Sequence, residues 1–424
     1  MNHIKMEFKR LLNTGFFHIF GSNVINQILI FLSGIIIVRF ISKSDYGVYS
    51  YSLNILSFFT IALGMGMNSG VLQLCSENIK KPVIRDSIYN YGARVGILFN
   101  LAISAAIILI ALIIKLPVNG ANQILLSLSL IPFLDGIREM QYVYFRSTLD
   151  NKNYAYANTL STVLIVTLSV LGSIVFQVEG LIIGKYIAST VTVALVFCSL
   201  KCKLPKLHSR LDKEIKKVLY KISIISMCNN GISNLLYLMD IFLIGLIIKT
   251  PDIIADYKVA TVIPTALQFI PSAICVYIFP MFSMHKDENL WIRNKSQKVF
   301  LYMFAMNFII TAILIIFAPL IISIIFGSQY LNAVAPFRVL SLSYFFVGTF
   351  RVLSGNLLVT QRKLVFNLIM TIAAGTVNII GNIILINEFG SLGAAYTTLF
   401  VTSISGIIST VYYFRIIRHI ENDK

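Results

Sequence analysis

Runs of about 20 apolar residues follow one another along almost the whole chain, and each is long enough to cross a bilayer as an α-helix. Spanning strands would instead alternate polar and apolar residues in segments of about ten. Because 57% of the residues are hydrophobic and only 12% are charged, we predict an all-α integral membrane protein.

Twelve spans fit the hydrophobic pattern, and a single long polar segment, residues 201–220, separates them into two sets of six. The first span is too long for a signal peptide, so we expect it to be retained. The predicted spans are residues 16–39, 47–72, 88–114, 122–144, 154–176, 181–200, 222–248, 257–282, 299–326, 336–360, 364–386 and 391–414.

An internal repeat relates the two halves. Residues 22–62 align without a gap on residues 233–273, and 14 of the 41 positions are identical. Chance would give roughly three or four identities in so aliphatic a chain. Polar positions match as well, since Asp45-Tyr46 falls on Asp256-Tyr257. We therefore expect two six-helix lobes related by a parallel repeat, with a substrate path between them.

The basic residues orient the bundle. Most of the 35 Lys and Arg fall on one side if the N-terminus is cytoplasmic, so the positive-inside rule places both termini in the cytoplasm. The predicted domains are an N-terminal lobe (1–200), a basic cytoplasmic linker (201–221) that contacts anionic lipid, and a C-terminal lobe (222–424). Nucleic-acid binding would need a soluble basic face, and none is expected.

Signatures of bond-breaking chemistry are missing from the sequence. The segment Gly180 to Lys185 is one residue short of a phosphate-binding loop and lacks its Ser or Thr. Gly180 and Gly184, like Gly66 and Gly70, fit better as close helix contacts. We expect no enzyme activity, no catalytic residue, no cofactor and no metal site.

Ionisable groups inside a bilayer cost about 3 kcal/mol or more each, so each requires an explanation. Arginine binds phosphate through a planar fork and keeps its proton. Arg94 and Arg351 have no acid nearby in sequence and are our main candidates for substrate contact. The other basic candidates are Arg138, Arg39, Lys185 and Arg338.

These other basic residues also have simpler interpretations. Asp135, Arg138 and Glu139 share one helix face and could neutralise one another. Arg39, Lys185 and Arg338 could extend to the headgroups near the outer face. Both interpretations remain open at the level of sequence.

Polar and acidic positions complete the candidate set. Asn23 and Asn26 in span one, and Asn234 in span seven, could contact a sugar or could bond neighbouring helices. Asp240 is the main candidate for a coupling ion, because no base lies near it in sequence; it could instead pair with an arginine of the substrate path. Asp135 and Glu139 are further coupling candidates.

Spans two and eight occupy equivalent places in the repeat, and both carry residues that interrupt helices. We predict that they bend during transport. The residues are Gly64, Gly66 and Gly70 in span two and Pro264, Pro271 and Pro280 in span eight.

The segment from Val38 to Tyr49 resembles the first outer loop of Wzx-type polysaccharide flippases, which belong to the multidrug/oligosaccharidyl-lipid/polysaccharide (MOP) superfamily. Those proteins show an Arg, a Leu-Gly-Pro-like turn, then an acid before Tyr-Gly-x-Tyr. Here Ile41-Ser42-Lys43 replaces the turn. Further similar segments are residues 240–245, 256–260, 336–340 and 378–395.

The resemblance implies a flippase that moves an undecaprenyl-pyrophosphate-linked oligosaccharide to the outer leaflet of a bacterial cytoplasmic membrane, for O-antigen, capsule or exopolysaccharide synthesis. It also implies membrane lipids, a polysaccharide polymerase and a chain-length regulator as partners. A multidrug exporter should carry more acids than bases in its spans. A lipid II flippase should have fourteen spans, and a glycan polymerase or transferase should have a large soluble domain or a long outer loop. These alternatives are disfavoured.

Overall fold

The computed structural model describes residues 16–200, 211–285 and 288–422 of the 424-residue chain. Within its helices the side chains of a few residues, including Asn234, lie outside the described part. Every regular element in the described ranges is a helix. The chain divides into two compact units, residues 1–235 and 236–424.

The first unit contains seven α-helices and one short 3₁₀ turn, Leu63–Gly66, together with the start of an eighth helix. The helices are α1 (Phe16–Phe40), α2 (Lys43–Thr60), α3 (Met67–Glu77), α4 (Pro82–Ile113), α5 (Ala121–Leu128), α6 (Ile131–Ser147), α7 (Asn151–Ser199) and α8 (Lys213–Ile247).

The second unit contains the remainder of α8 and eight further α-helices. A 3₁₀ turn (Ser328–Ala333) precedes α13, and a π turn (Val347–Arg351) follows it. The helices are α9 (Pro251–Leu267), α10 (Phe269–Met284), α11 (Asn289–Ile316), α12 (Ala318–Ile325), α13 (Val334–Phe346), α14 (Val352–Thr360), α15 (Leu364–Phe389) and α16 (Ser391–Asn422).

The helices reproduce the predicted spans. Nine helical stretches of the described chain are long and apolar enough to cross a bilayer. One of them, α7, turns back on itself at Phe176 and Gln177 and supplies two spans. The broken pair α5–α6 and helix α8 account for predicted spans four and seven. The prediction of an all-α, twelve-span protein is confirmed.

Small residues let helices approach closely, as predicted. In α7, the backbones at Gly172 and Gly180 touch across the hairpin, and Gly184 meets the Leu168 carbonyl. A Cβ at any of these glycines would strike backbone atoms. The short segment from Gly180 to Gly184 is therefore a packing surface and not a phosphate loop.

Span two is broken inside the first unit. Helix α2 ends at Thr60 and α3 begins at Met67, with left-handed backbone at Gly64 (φ 59°) and Gly66 (φ 72°). Backbone groups freed within a membrane need internal partners. The Gly64 N–H finds one, because it donates to Asn100 Oδ1 at 2.6 Å.

Span eight is interrupted as well, between Leu267 and Phe269. Pro271 follows closely and supplies no N–H for the next helical turn. The predicted interruption of both spans is therefore present in the structure. Their movement during transport stays a prediction.

The start of α8 packs into the first unit. Leu219 and Ser223 are fully buried, and Gly66 and Gly70 leave the space that Ser223 occupies. Leu211 joins the same cluster. The last part of the predicted 201–221 linker thus belongs to a hydrophobic core, whereas residues 201–210 lie outside the described ranges. The predicted domain limits of 200 and 222 remain a prediction.

Candidate functional site

Asp240 lies at the centre of a polar cluster inside the second unit. Its Oδ2 accepts hydrogen bonds from Tyr257 Oη at 2.6 Å and Thr398 Oγ1 at 2.7 Å. Its Oδ1 accepts from Asn382 Nδ2 at 2.7 Å and from Asn378 Nδ2 at 3.4 Å. All four partners are neutral. In the described structure the Asp240 carboxylate is therefore stabilised by hydrogen bonds from neutral groups and is not paired with an arginine.

This Asp240 cluster draws its five side chains from four helices: α8, α9, α15 and α16. Asn378 and Asn382 are four residues apart and so share one face of α15. Thr398 follows on α16 after a tight turn at Gly390, where φ is 60°. Gly393 lets the two helices come together, since a Cβ there would strike the Leu385 carbonyl.

One oxygen of the Asp240 cluster can still accept a hydrogen bond. Asn382 is fully buried, and its Oδ1 has no hydrogen-bond partner among the described residues. Rotation of the Asn382 amide about its Cβ–Cγ bond would exchange a donor for an acceptor at the same place. Carboxylate, amide and hydroxyl oxygens together suit a proton or a hard cation.

Arg94, the first candidate for substrate contact, lies on α4 in the first unit. Its guanidinium carbon lies 6.0 Å from the centre of the Tyr91 ring, and the side chain is partly buried. The Tyr91 ring also meets Tyr220 and Lys216 of α8. Arg94 therefore stands in a basic and aromatic environment.

Arg351, the second candidate, ends the π turn Val347–Arg351 in span ten. Buried Asn307 stabilises this turn, because it donates to Thr349 Oγ1 at 3.2 Å and accepts from Tyr344 Oη at 2.8 Å. π turns are rare and frequently occur at functional sites. The π turn is therefore a structural sign that Arg351 lies in a functional site, and the sequence around Arg351 contains no such sign.

The acidic and basic residues of α6 form a local pair. Arg138 Nη2 lies 2.8 Å from Asp135 Oδ1, and the two side chains are 15% and 26% exposed. This confirms that Asp135 can neutralise Arg138, as the spacing suggested. The second nitrogen, Nη1, is buried and has no hydrogen bond in the described part of the chain. Glu139 is partly buried beside this pair.

The three basic candidates assigned to the outer face differ in their surroundings. Lys185 Nζ donates to Tyr49 Oη at 2.6 Å, so this lysine is held inside the first unit. Arg338 is exposed and donates from Nε to the Ile315 carbonyl at 3.2 Å. Arg39 is exposed. Exposure of Arg338 and Arg39 agrees with extension toward headgroups.

The amides of span one meet α7. Asn23 is exposed and accepts a hydrogen bond from Asn158 Nδ2 at 3.4 Å. Its neighbour Ser22 bonds Thr159 Oγ1 at 2.8 Å. Asn26 is buried, and its Oδ1 lacks a hydrogen-bond partner in the described ranges. Asn23 thus fits the interhelical alternative, while the Asn234 side chain lies outside the described residues.

Sequence reasoning found Asp240 and missed most of its partners. Asn378 and Asn382 lay within a segment, residues 378–395, chosen only for its resemblance to the Wzx-type flippases, and Thr398 was not selected. The available signal was the pair of asparagines at helical spacing in an otherwise apolar span. Thr398 gave no such signal, because hydroxyls are common in membrane helices and often bond their own backbone.

A family model described as "polysaccharide biosynthesis protein" matches residues 36–335. An uncharacterized membrane protein of Methanocaldococcus jannaschii is 24% identical over 410 residues, covering 89% of this chain and 79% of that protein.

Solved structures share the fold. An inward-facing multidrug resistance MATE family transporter of the MOP superfamily has a TM-score of 0.73 at 12% identity, with 94% of this chain and 96% of that chain covered. The lipid II flippase MurJ, in an inward closed conformation, has a TM-score of 0.69 at 17% identity, with 94% and 86% covered. These likenesses show that the chain shares the fold of these two transporters, one of which is a member of the MOP superfamily.

Proposed function

The chain belongs to the polysaccharide biosynthesis protein family, and on that basis we propose that it is a flippase for a lipid-linked oligosaccharide. The family match over residues 36–335 carries the proposal, and the shared MOP fold supports it. Such a protein moves a carrier lipid and its sugar between leaflets by alternating access. It breaks no covalent bond in its substrate.

The proposed substrate is an undecaprenyl-pyrophosphate-linked repeat unit for O-antigen, capsule or exopolysaccharide. Its pyrophosphate suits the guanidinium groups of Arg94 and Arg351. Arg138 offers a buried Nη1 beside its bond to Asp135, and Arg39, Lys185 and Arg338 extend the basic set. Asn26 offers an amide oxygen without a partner in the described structure, and Asn23 and Asn234 are the other residues proposed for sugar contact.

Asp240 is the proposed coupling site. Four neutral donors surround its carboxylate, and the buried Asn382 Oδ1 lies in the same cluster with unused lone pairs in the described structure. A proton or an alkali cation could bind there and be released again without breaking an ion pair. Asp135 and Glu139 are less suited, because Asp135 already pairs with Arg138.

We further propose a bacterial cytoplasmic membrane as the location, with both termini and the 201–220 segment in the cytoplasm. The distribution of Lys and Arg supports this orientation. A reporter active only outside the cytoplasm, fused at Lys217, should be silent. A polysaccharide polymerase and a chain-length regulator are the proposed protein partners.

Reconstitution tests the function. Purified protein in proteoliposomes should carry a fluorescent lipid-linked oligosaccharide between leaflets, measured by an impermeant quencher. Arg351→Ala should slow this movement at least tenfold, because a charge-assisted phosphate contact is lost. Arg415→Ala, which removes an exposed arginine of α16, is the matched control and should transport normally.

The same assay separates the alternatives. Movement of organic cations without movement of lipid would replace the proposal with a multidrug exporter. Preference for a peptide-bearing lipid over a plain oligosaccharide lipid would indicate a lipid II flippase. Folded protein that moves none of these substrates under any imposed gradient would refute a flippase.

A further inference from the structure

Four side chains from two helices converge near the start of α8 in the first unit. Tyr91 and Arg94 lie one turn apart on α4, and Lys216 and Tyr220 lie one turn apart on α8. The Tyr91 and Tyr220 hydroxyls are 3.2 Å apart, and their rings meet edge to face at 6.4 Å. We call this group the Tyr91 cluster.

Two cations share one ring in this cluster. Lys216 Nζ lies 4.9 Å from the centre of the Tyr91 ring, and the Arg94 guanidinium carbon lies 6.0 Å from it. All four side chains are partly buried. Both cations thus lie within 6.0 Å of the centre of one ring, which concentrates positive charge at this end of the two helices.

Close helix packing holds the cluster together. Leu219, beside Tyr220, is fully buried in a core that also contains Val71 and Tyr89. Gly92, beside Tyr91, has no side chain to push the helices apart, and a Cβ there would strike Val71. The four polar ends are thus presented by two helices that pack on the same hydrophobic core.

The chemistry of the cluster favours an anion with more than one charge. An ammonium and a guanidinium are donors only. Of two bonded hydroxyls, one donates to the other, and the accepting hydroxyl keeps its own proton for a ligand. The cluster therefore offers two positive charges and at least one O–H, which matches a phosphate or a pyrophosphate.

We propose that the Tyr91 cluster is the docking site at which the pyrophosphate headgroup of the carrier lipid first binds, before transfer into the substrate path. The inference rests on the proposed flippase function, and it adds Tyr91, Lys216 and Tyr220 to the machinery. Lys216 lies in the first turn of α8, at the end that the basic residues orient toward the cytoplasm. A lipid arriving from the inner leaflet would meet this end first.

Binding in detergent tests the site directly, with inorganic pyrophosphate and a short-chain polyprenyl pyrophosphate as probes in isothermal titration. Lys216→Ala should weaken binding of both probes about tenfold, and Lys216→Arg should restore most of it. Lys217→Ala removes the adjacent exposed lysine of the same turn and should leave affinity unchanged.

The tyrosines give a finer test. Tyr220→Phe keeps the ring and removes one hydroxyl, so it should weaken binding about threefold while leaving the thermal midpoint of unfolding close to that of the wild type. Equal losses in Lys216→Ala and Lys217→Ala would mean unspecific attraction and would overturn the site. Displacement of polyprenyl pyrophosphate by an equal concentration of phosphatidylglycerol would assign the cluster to bulk anionic lipid and would also overturn it.

The site and the function can fail separately. If pyrophosphate binding depends on Lys216 but the reconstituted protein moves no lipid-linked oligosaccharide, the site stands and the flippase proposal fails. If the protein moves that lipid while Lys216→Ala binds the probes as the wild type does, the flippase stands and the docking site is wrong.

Discussion

The two repeated segments carry a tyrosine at the same position, Tyr46 in the first unit and Tyr257 in the second, but the two side chains have different neighbours. In the first unit, Tyr46 is buried and its hydroxyl has the Ser50 side chain as a neighbour. In the second unit, the equivalent Tyr257 is also buried and donates to Asp240. The position equivalent to Asp240 in the first unit is Leu29.

The acid that precedes each tyrosine also differs in its surroundings. Asp45 is exposed and accepts a hydrogen bond from Ser42 Oγ at 2.6 Å at the start of α2. Asp256 is only 4% exposed. The two matching segments thus share the helix that carries the pair, while the partly buried carboxylate with four neutral donors is found in the second unit. We infer that ion coupling belongs to that unit.

The largest expected effect on transport comes from removing the Asp240 carboxylate, which the first unit lacks. Asp240→Asn should abolish the response of lipid movement to imposed proton and sodium gradients, because the amide cannot carry the exchanged charge. Substrate binding should persist. The measurement is flux in proteoliposomes with and without each gradient.

Asp45→Asn is the matched control, since it changes the exposed acid of the equivalent segment, and it should respond to the gradients as the wild type does. Loss of folding or of substrate binding in Asp240→Asn, with the gradient response intact, would assign Asp240 a structural role. A wild type indifferent to both gradients would remove the coupling proposal.

An intermediate effect, on the free energy of unfolding, is expected at the break in span two, where Asn100 bonds the Gly64 backbone. Asn100→Ala removes the acceptor of the Gly64 N–H and should reduce the free energy of unfolding by up to about 3 kcal/mol, because a buried donor loses its partner. Gly136→Ala should destabilise as well, since its Cβ would strike the Asn100 amide. Thermal unfolding in detergent measures both.

Gly355→Ala provides the control, because no atom lies within 4 Å of the added Cβ. It lies within α14, where Ala is favoured over Gly by about 1 kcal/mol. Equal thermal midpoints for Gly136→Ala and Gly355→Ala would contradict the close packing around Asn100.

The smallest effect compares the two tyrosines directly. Tyr257→Phe removes a hydrogen bond to a carboxylate and should reduce the free energy of unfolding by about 2 kcal/mol. Tyr46→Phe removes a hydroxyl whose neighbour is the uncharged Ser50 and should reduce it by at most about 1 kcal/mol. Tyr257→Phe should also alter the ion concentration that gives half-maximal flux. Identical behaviour of the two variants would remove the functional distinction between the units.

Much of the molecule follows from the sequence alone. The hydrophobic runs require membrane helices, because a bilayer leaves the backbone no other partners. The glycines at 64, 66, 180 and 184 indicated where helices would break or approach closely, since these effects depend on a missing side chain. Asp240 stood out because an acid in an apolar span needs a reason.

Only the tertiary structure decided which residues meet. Asn378, Asn382 and Thr398 lie more than 130 positions from Asp240 in sequence, and no local pattern joins them to it. Lys216 was assigned to a linker by its charge, yet close helix packing brings it to the Tyr91 ring. Sequence periodicity determines which face of a helix is polar, whereas the neighbour of that face depends on long-range packing of the whole unit.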